Sequence, residues 1–171
     1  MEIRRIRESE LDEALDLVLK VFMEFEAPDY SPEGVDSFVK DIIHNESFRE
    51  GCKSGTFRTY AAFKDGNVIG VLTLRKGSHI MLFFVRKEHQ KQGVGRALFE
   101  HVQKEICRGE NAFSSITVNS SPYGVEFYKR LGFVPTSEEQ EKHGIRYVPM
   151  SYTAVVVHKE PKEKYEGQRN L

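Results

Sequence analysis

The segment HQKQGVGRALFEHV, residues 89–102, places two glycines one residue apart at the start of a helical pattern. Glycine costs about 1 kcal/mol relative to alanine inside a helix, so Gly93 and Gly95 indicate that another group comes close to the backbone here. The free N–H groups and the dipole at a helix N-terminus favour an anion. Lys91 and Arg96 add positive charge beside them. The segment therefore predicts a phosphate-binding loop.

The sequence around this loop predicts a mixed α/β fold. The run HIMLFFV at 79–85, directly before the loop, is typical of a central strand buried on both faces. Asp65-Gly66, between two other apolar runs, predicts a hairpin. The predicted order is strand, two helices, three strands, helix, strand, helix and two strands, which gives a mostly antiparallel sheet of about seven strands with about four helices. The polar segment 45–55 predicts a loop.

The composition limits the possible classes of protein. A length of 171 residues predicts one domain, assigned to residues 1–158, followed by a polar tail at 159–171. The net charge of -1 gives no basic field for nucleic acid. No apolar run approaches the roughly 20 residues of a membrane span, and no signal peptide is expected, which predicts a cytoplasmic protein without membrane contact. Cys52 and Cys107 are expected to be free thiols, and no metal site is predicted.

Two common phosphate-binding motifs do not match the loop. A Walker loop ends in Gly-Lys-Ser/Thr, but Gly95 is followed by Arg96 and Ala97. A dinucleotide fingerprint needs a third glycine where Leu98 stands, and it lies in the first strand–helix–strand unit of a chain, whereas other strands and helices precede this loop. A pyrophosphate of another kind fits the pattern better.

The loop and a second motif resemble those of the GNAT superfamily of acetyl-coenzyme A-dependent N-acetyltransferases. Residues 90–95, QKQGVG, match the family's Gln/Arg-x-x-Gly-x-Gly/Ala loop, and EFYKRLGF at 126–133 matches its second hallmark. The resemblance implies a GNAT fold whose sheet is splayed between the fourth and fifth strands. It also implies acetyl-coenzyme A as cofactor and a small-molecule or peptide amine as acceptor. Both a monomer and a homodimer stay open.

The resemblance assigns cofactor-binding residues to the strand and the loop. The Phe83 N–H would bond the thioester carbonyl, Val85 would pair with the pantetheine amides, and the N–H groups of residues 92–97 would hold the pyrophosphate. Asn119 stands near the family's cofactor-arm asparagine, although Ser121 holds the usual place. The implied set is Phe83, Phe84, Val85, Gln90, Lys91, Gln92, Gly93, Val94, Gly95, Arg96, Ala97, Asn119 and Tyr128.

The resemblance also implies the residues that would move protons. Tyr128 aligns with the tyrosine that protonates the leaving thiolate, and a phenol with a reference pKa near 10 is a suitable acid. His79 holds the place of a glutamate found in some relatives, which makes it a candidate base because imidazole titrates near neutral pH. The segment between the first two helices lines the acceptor pocket in the family. The predicted acceptor-binding residues are Glu24, Glu26, Asp29, Tyr30 and Met81.

Three functions therefore stay open at this point. The first is acetyl transfer to a small primary amine by direct attack in a ternary complex, with bulky Met81, Phe83 and Phe84 favouring acetyl over longer acyl groups. The second is acetylation of a protein or peptide amine on the same fold. The third is a non-catalytic acyl-coenzyme A sensor, which would need no proton-transfer residues, and Tyr128 argues against it.

Overall fold

In the computed structural model, which describes residues 1–108 and 112–155, a central sheet separates two layers of helices. The strands are β1 (Glu2–Arg5), β2 (Arg58–Lys64), β3 (Asn67–Arg75), β4 (His79–Val85), β5 (Ser115–Ser120), β6 (Val134–Pro135), β7 (Gln140–Lys142) and β8 (Ile145–Thr153). The helices are α1 (Leu11–Phe25), α2 (Pro32–Phe38), α3 (Glu46–Ser54), α4 (Val94–Ile106) and α5 (Val125–Leu131). The predicted tail at 159–171 and the last three residues of the predicted domain lie outside the described residues.

The sheet confirms the predicted mixed and mostly antiparallel topology. Its order is β1-β2-β3-β4-β5-β8-β6, and β7 pairs with β8. Among the strands of the described residues, only β4 and β5 run parallel, and their register contains two pairs, His79 with Thr117 and Ile80 with Val118. On the other side of β4, Thr73 of β3 pairs with Leu82 and Leu74 pairs with Ile80, so β4 carries an extra residue between them. Beyond this bulge β4 and β5 separate, as the resemblance implied.

The two helical layers pack on opposite faces of the sheet. One core cluster joins α1, the segment after α2 and α3 to Leu82 and Phe84 of β4. The other joins α4, α5, β5 and β8 to Ile80. Burial alternates along β4, with residues 81, 83 and 85 only half-buried. The strand is therefore not covered on both faces along its whole length, although its apolar sequence predicted that.

The segment at 45–55 is the helix α3, and the predicted loop there is wrong. The Asn45 side chain accepts a hydrogen bond from the Phe48 N–H (2.8 Å) and caps the helix start. Gly55 ends the helix with φ of 83°. Phe48 and Gly51 are buried, and the Phe48 ring stacks on Phe57. The segment has too few apolar residues to show a helical period. The capping residues Asn45 and Gly55 were the sequence signal for this helix.

The turn between β7 and β8 packs directly on the start of α2. The Ser31 N–H donates a hydrogen bond to the Gly144 carbonyl oxygen (3.2 Å), and the Ser31 hydroxyl accepts one from the Gly34 N–H (3.1 Å). A Cβ atom on Gly34 would overlap the Gly144 carbonyl oxygen. Glycine at both positions lets the two backbones touch, and this contact fixes the turn against the first helical layer.

Replacing Gly34 with alanine is expected to lower the free energy of unfolding by about 1–3 kcal/mol, because the new methyl group overlaps backbone that cannot move freely. In an unobstructed helix the same change would stabilise the protein by about 1 kcal/mol, so the sign of the effect is informative. Urea denaturation measures it. Glu33→Ala, one residue earlier and exposed, is the matched control. A stabilised Gly34→Ala variant would show that the turn does not press on α2.

Candidate active site

A cavity of about 400 Å³ lies where β4 and β5 separate. It is bordered by both strands, by the end of α1 and the end of α2 on one face, and by α4 and α5 on the other. Its lining residues are Val21, Phe25, Glu26, Tyr30, Phe38, Met81, Phe83, Phe84, Val85, Gln90, Lys91, Gly95, Val118, Asn119, Ser120, Ser121, Tyr123, Gly124, Glu126, Phe127, Tyr128, Arg130 and Ile145. The cavity therefore connects the glycine loop to the first helical layer.

The end of β4 offers backbone groups to this cavity. The Arg86 N–H donates a hydrogen bond to the Ile69 carbonyl oxygen of β3 (2.9 Å). Hydrogen-bonding direction alternates along an antiparallel strand, so the N–H of Phe84 points toward β3, and those of Phe83 and Val85 point away from it. That direction is the gap left by β5. Both N–H groups are thus placed to bind a ligand in the cavity.

The glycine loop forms the exposed mouth of the site. Gly93 precedes α4 with φ of 83°, a left-handed conformation that favours glycine, and open space surrounds its missing Cβ. The first hydrogen bond of α4 runs from the Ala97 N–H to the Gly93 carbonyl oxygen (2.9 Å). The N–H groups from Gly93 to Arg96 precede it and have no acceptor within the helix. This is the geometry of an anion site at a helix N-terminus.

Gly95 has a different reason to be glycine than the sequence suggested. It is buried, and a Cβ atom there would lie 2.9 Å from Cζ of Phe127. Gly95 therefore allows α5 to pack closely on the start of α4, whereas the backbone at Gly93 faces open space. The same packing places Phe127 and Tyr128 beside the cavity.

Tyr128 lies in a cluster of aromatic rings at the cavity wall. It is 7% exposed and contacts the rings of Phe83, Phe127 and Phe133 edge to face, with centroids 6.1, 5.5 and 5.2 Å away. Burial, and next the nearby Glu26 carboxyl, raise the pKa of Tyr128 well above its ordinary value. The phenol therefore stays protonated near neutral pH and can act as a hydrogen-bond donor.

Glu26 is the carboxyl of this cavity whose pKa is most perturbed. It follows the last residue of α1, and its N–H donates to the Phe22 carbonyl oxygen (2.9 Å). Burial raises the pKa of Glu26 to about 7, with a smaller upward effect from Asp29 and a downward one from the hydroxyl of Ser121. A carboxyl with this pKa exchanges protons readily near neutral pH. The sequence grouped Glu26 with its acidic neighbours and gave no sign of this difference.

Of the other predicted acceptor-binding residues, two line the cavity and two do not. Tyr30 and Met81 line the cavity with Glu26. Glu24 is not among the lining residues and forms an ion pair with Lys87. Asp29 is also outside the lining, although its charge raises the pKa of Glu26.

His79 is placed at the paired end of β4, outside the cavity lining. Its Nδ1 atom lies 2.8 Å from the hydroxyl oxygen of Thr117. Burial, followed by the charges of Arg75 and Lys76, lowers the pKa of His79 to about 4. The imidazole is therefore a weak base, held by a neighbour on β5.

The cofactor residues implied by the resemblance fall into two groups. Those of β4, together with Gln90, Lys91, Gly95, Asn119 and Tyr128, line the cavity. Gln92, Gly93, Val94, Arg96 and Ala97 form the mouth of the loop and the first turn of α4 instead. The Gln90 side chain also donates a hydrogen bond to the Val85 carbonyl oxygen (3.0 Å), which ties the loop to the end of β4.

A pair of stacked rings that the sequence did not single out covers part of the cavity. Phe25, at the end of α1, stacks on Tyr123, with ring centroids 5.1 Å apart. The Tyr123 hydroxyl donates a weak hydrogen bond to the Gln90 side-chain oxygen (3.4 Å). This bridge connects the first helical layer to the glycine loop. Because Phe25 and Tyr123 are about 100 residues apart in the sequence, no local pattern could predict their contact.

Among residues 1–108 and 112–155, no group of three His, Cys, Asp or Glu side chains is placed to hold a metal ion. The helices of the same residues include none with the length and apolar character needed to cross a membrane.

Comparison with known proteins gives concordant matches. The family model described as "Acetyltransferase (GNAT) domain" matches residues 26–154. The N-alpha-acetyltransferase of Sulfurisphaera tokodaii is 27% identical over 104 residues, a match that covers 50% of this chain and 62% of that relative's own length.

Solved structures resemble the whole described fold. The GCN5-related N-acetyltransferase of Rhodopseudomonas palustris, described as an aminotransferase of class II, superposes with a TM-score of 0.73 and 20% identity, covering 90% of this chain and 95% of that one. The PaiA N-acetyltransferase of Thermoplasma acidophilum, solved in complex with coenzyme A, gives a TM-score of 0.72 and 16% identity, covering 90% and 98%. At these identities the likeness extends to the fold alone.

Proposed function

This chain belongs to the GNAT acetyltransferase family, and from that premise we propose that it transfers acetyl from acetyl-coenzyme A to a primary amine by direct attack. The observation that carries the proposal is the cavity between β4 and β5. This cavity is lined by the free N–H groups of β4, by the protonated phenol of Tyr128 and by the carboxyl of Glu26, whose pKa is about 7. These are the parts that an acyl transfer needs: an oxyanion donor, an acid and a base.

The loop and β4 fit the two chemical parts of coenzyme A. The free N–H groups from Gly93 to Arg96 suit a pyrophosphate, and Lys91 adds positive charge at the cavity wall. The Val85 N–H suits an amide carbonyl of a pantetheine arm, and the Phe83 N–H lies next to the thioester end of that arm, because neither has a partner on a neighbouring strand. The PaiA relative was solved with coenzyme A, which supports this fit.

Acetyl-coenzyme A supplies an acetyl group activated as a thioester. We assign the Phe83 N–H to the thioester oxygen, where it stabilises negative charge as the carbonyl carbon is attacked. A backbone donor in a strand is already oriented, so little reorganisation is needed at the moment of reaction. Phe83 itself is held by Phe127, whose ring meets it edge to face with centroids 5.1 Å apart.

Glu26 and Tyr128 account for the proton movements. Glu26 takes a proton from the incoming ammonium group, and the freed amine nitrogen forms the bond to the acetyl carbon. Tyr128 gives its proton to the sulfur as the carbon–sulfur bond breaks, and the second proton lost by the acylated nitrogen restores the phenol. The sum is an N-acetyl amine, a free thiol and one proton, which Glu26 releases to solvent. Glu26 replaces His79 as the candidate base because it borders the cavity and its pKa lies near neutral pH.

The Gly93→Val variant tests the binding half of this proposal. We expect the dissociation constant for acetyl-coenzyme A to rise about tenfold or more, because a β-branched side chain disfavours the left-handed backbone and occupies the phosphate approach. Isothermal titration calorimetry measures the change.

The matched control for that variant is Gly66→Val. Gly66 has φ of 80° and the same open surroundings, but it lies in the β2–β3 turn. Both substitutions therefore cost similar backbone strain, and only the first touches the loop. Equal affinities in the two variants would remove the loop from the binding site.

A further inference from the structure

We infer that the acceptor is a small amine with one positive charge and an aromatic or branched aliphatic body. This inference rests on the proposed function and adds to it the chemical class of the acceptor. It is carried by the part of the cavity that borders α1, α2 and the β7–β8 turn.

The wall on this side is apolar and built of packed rings. Phe38 stacks on Phe22 with centroids 3.8 Å apart and approaches Phe84 of β4 at 6.3 Å. Phe22 also contacts the ring of Tyr30 at 5.6 Å. Rings that contact one another in this way hold their positions and present a fixed apolar surface. Such a surface binds the hydrocarbon body of a ligand by excluding water.

Glu26 is the one carboxyl that this side of the cavity contributes to its lining among the described residues. The second lining carboxyl, Glu126, belongs to α5, where it is 71% exposed and pairs with Lys129 at 2.8 Å. Glu24, the nearest acidic residue on α1, is paired with Lys87. Asp29 lies outside the lining, although its charge acts on Glu26. Within the lining on this side, one carboxyl suits one ammonium group, whereas a second cationic group would enter the apolar part without a partner.

The contact between α2 and the β7–β8 turn closes this side to an extended chain. Gly34 and Gly144 touch through their backbones, and Ile145, next to that contact, lines the cavity. A polypeptide acceptor would need a groove that stays open beyond its first residue. The whole cavity measures about 400 Å³, near the lower limit of ordinary ligand pockets, and the thioester arm shares it. Both facts favour a small acceptor.

An acceptor panel with the unmodified protein tests the inference directly. Thiol release from acetyl-coenzyme A is measured with 2-phenylethylamine, with spermidine and with a hexapeptide that has a free N-terminus. We expect kcat/KM for 2-phenylethylamine to exceed the other two values at least tenfold. A higher value for spermidine or for the peptide would overturn the acceptor class and leave the transferase proposal standing.

A charge placed at the closed side gives a second test. Ile145→Asp adds a carboxyl beside the apolar wall, at a half-buried position where β8 begins. We expect the ratio of kcat/KM for 1,5-diaminopentane to that for 2-phenylethylamine to rise at least tenfold. Ile145→Asn, of the same shape without the charge, is the control and is expected to change this ratio less than threefold. An unchanged ratio in Ile145→Asp would mean that the acceptor does not reach this wall.

These experiments distinguish failure of the transferase proposal from failure of the inferred acceptor class. If calorimetry detects bound acetyl-coenzyme A but no amine releases thiol, the transferase proposal fails and the acceptor class fails with it. If thiol is released mainly with polycations or peptides, only the acceptor class fails.

Discussion

Glu26→Gln is expected to lower kcat/KM about 100-fold at pH 7, because the amide cannot take a proton from the ammonium group of the acceptor. In the unmodified protein, kcat/KM should rise with pH through about 7, as the Glu26 carboxyl loses its proton, and then level off. The variant should lose this rise and show instead an increase at higher pH, where the amine itself loses its proton. A pH series of initial thiol-release rates measures both features.

Glu24→Gln is the matched control for this variant. It makes the same chemical change two residues earlier on α1, at a residue that is paired with Lys87 and does not line the cavity. Its kcat/KM is expected to stay within about threefold of the unmodified protein, with the same dependence on pH. A wild-type pH profile in Glu26→Gln would assign the proton transfer to another group.

The raised pKa of Glu26 also fixes the sign of its effect on stability. The folded protein holds this proton to higher pH than the unfolded chain does, so the stabilising contribution is present below the ordinary glutamate pKa and is lost as pH rises through about 7. Glu26→Gln should therefore gain stability relative to the unmodified protein between pH 5 and pH 8, on the order of 1 kcal/mol. If Glu26→Gln is inactive but more stable than the unmodified protein, its loss of activity comes from the missing base and not from unfolding.

Tyr128→Phe is expected to lower kcat about 100-fold while the dissociation constant for acetyl-coenzyme A changes less than about threefold. The ring and its contacts with Phe83 and Phe133 remain, and only the proton donor for the leaving sulfur is lost. Stopped assays of thiol release give kcat, and calorimetry gives the affinity.

Tyr123→Phe is the control for the loss of a hydroxyl. Tyr123 also lines the cavity, but it is 49% exposed and its hydroxyl makes one long hydrogen bond to Gln90. A small change in kcat is expected. If Tyr128→Phe turned over as fast as this control, Tyr128 would be a core aromatic residue with no part in proton transfer.

Contiguous motifs explain why so much of this fold could be predicted. The loop at 90–95 and the segment at 126–133 are each read from a few neighbouring residues, because a helix N-terminus and a glycine C-cap are local structures. Gly132 ends α5 with φ of 100°. The apolar run of β4 likewise identified the central strand, and the splay beside it followed from the family resemblance.

The candidate base could not be predicted from local sequence patterns. Alignment along β4 led to His79, whose burial beside positive charges lowers its pKa. The carboxyl with a suitable pKa comes instead from the end of α1, and it shares a cavity with Tyr128 because helices on opposite faces of the sheet border one gap. Burial in the folded protein creates the shift, and no spacing in the sequence encodes it. The touching glycines at 34 and 144 are non-local in the same way.

The most direct test of the central claim follows both products of one reaction by mass spectrometry. Acetyl-coenzyme A is mixed with the protein and a set of amines that contains 2-phenylethylamine, spermidine and the free hexapeptide. Direct transfer predicts equal amounts of coenzyme A thiol and N-acetylated amine, with no acetyl group left on the protein. If acetyl-coenzyme A binds but neither product forms with any amine, the cavity is a binding site without catalysis.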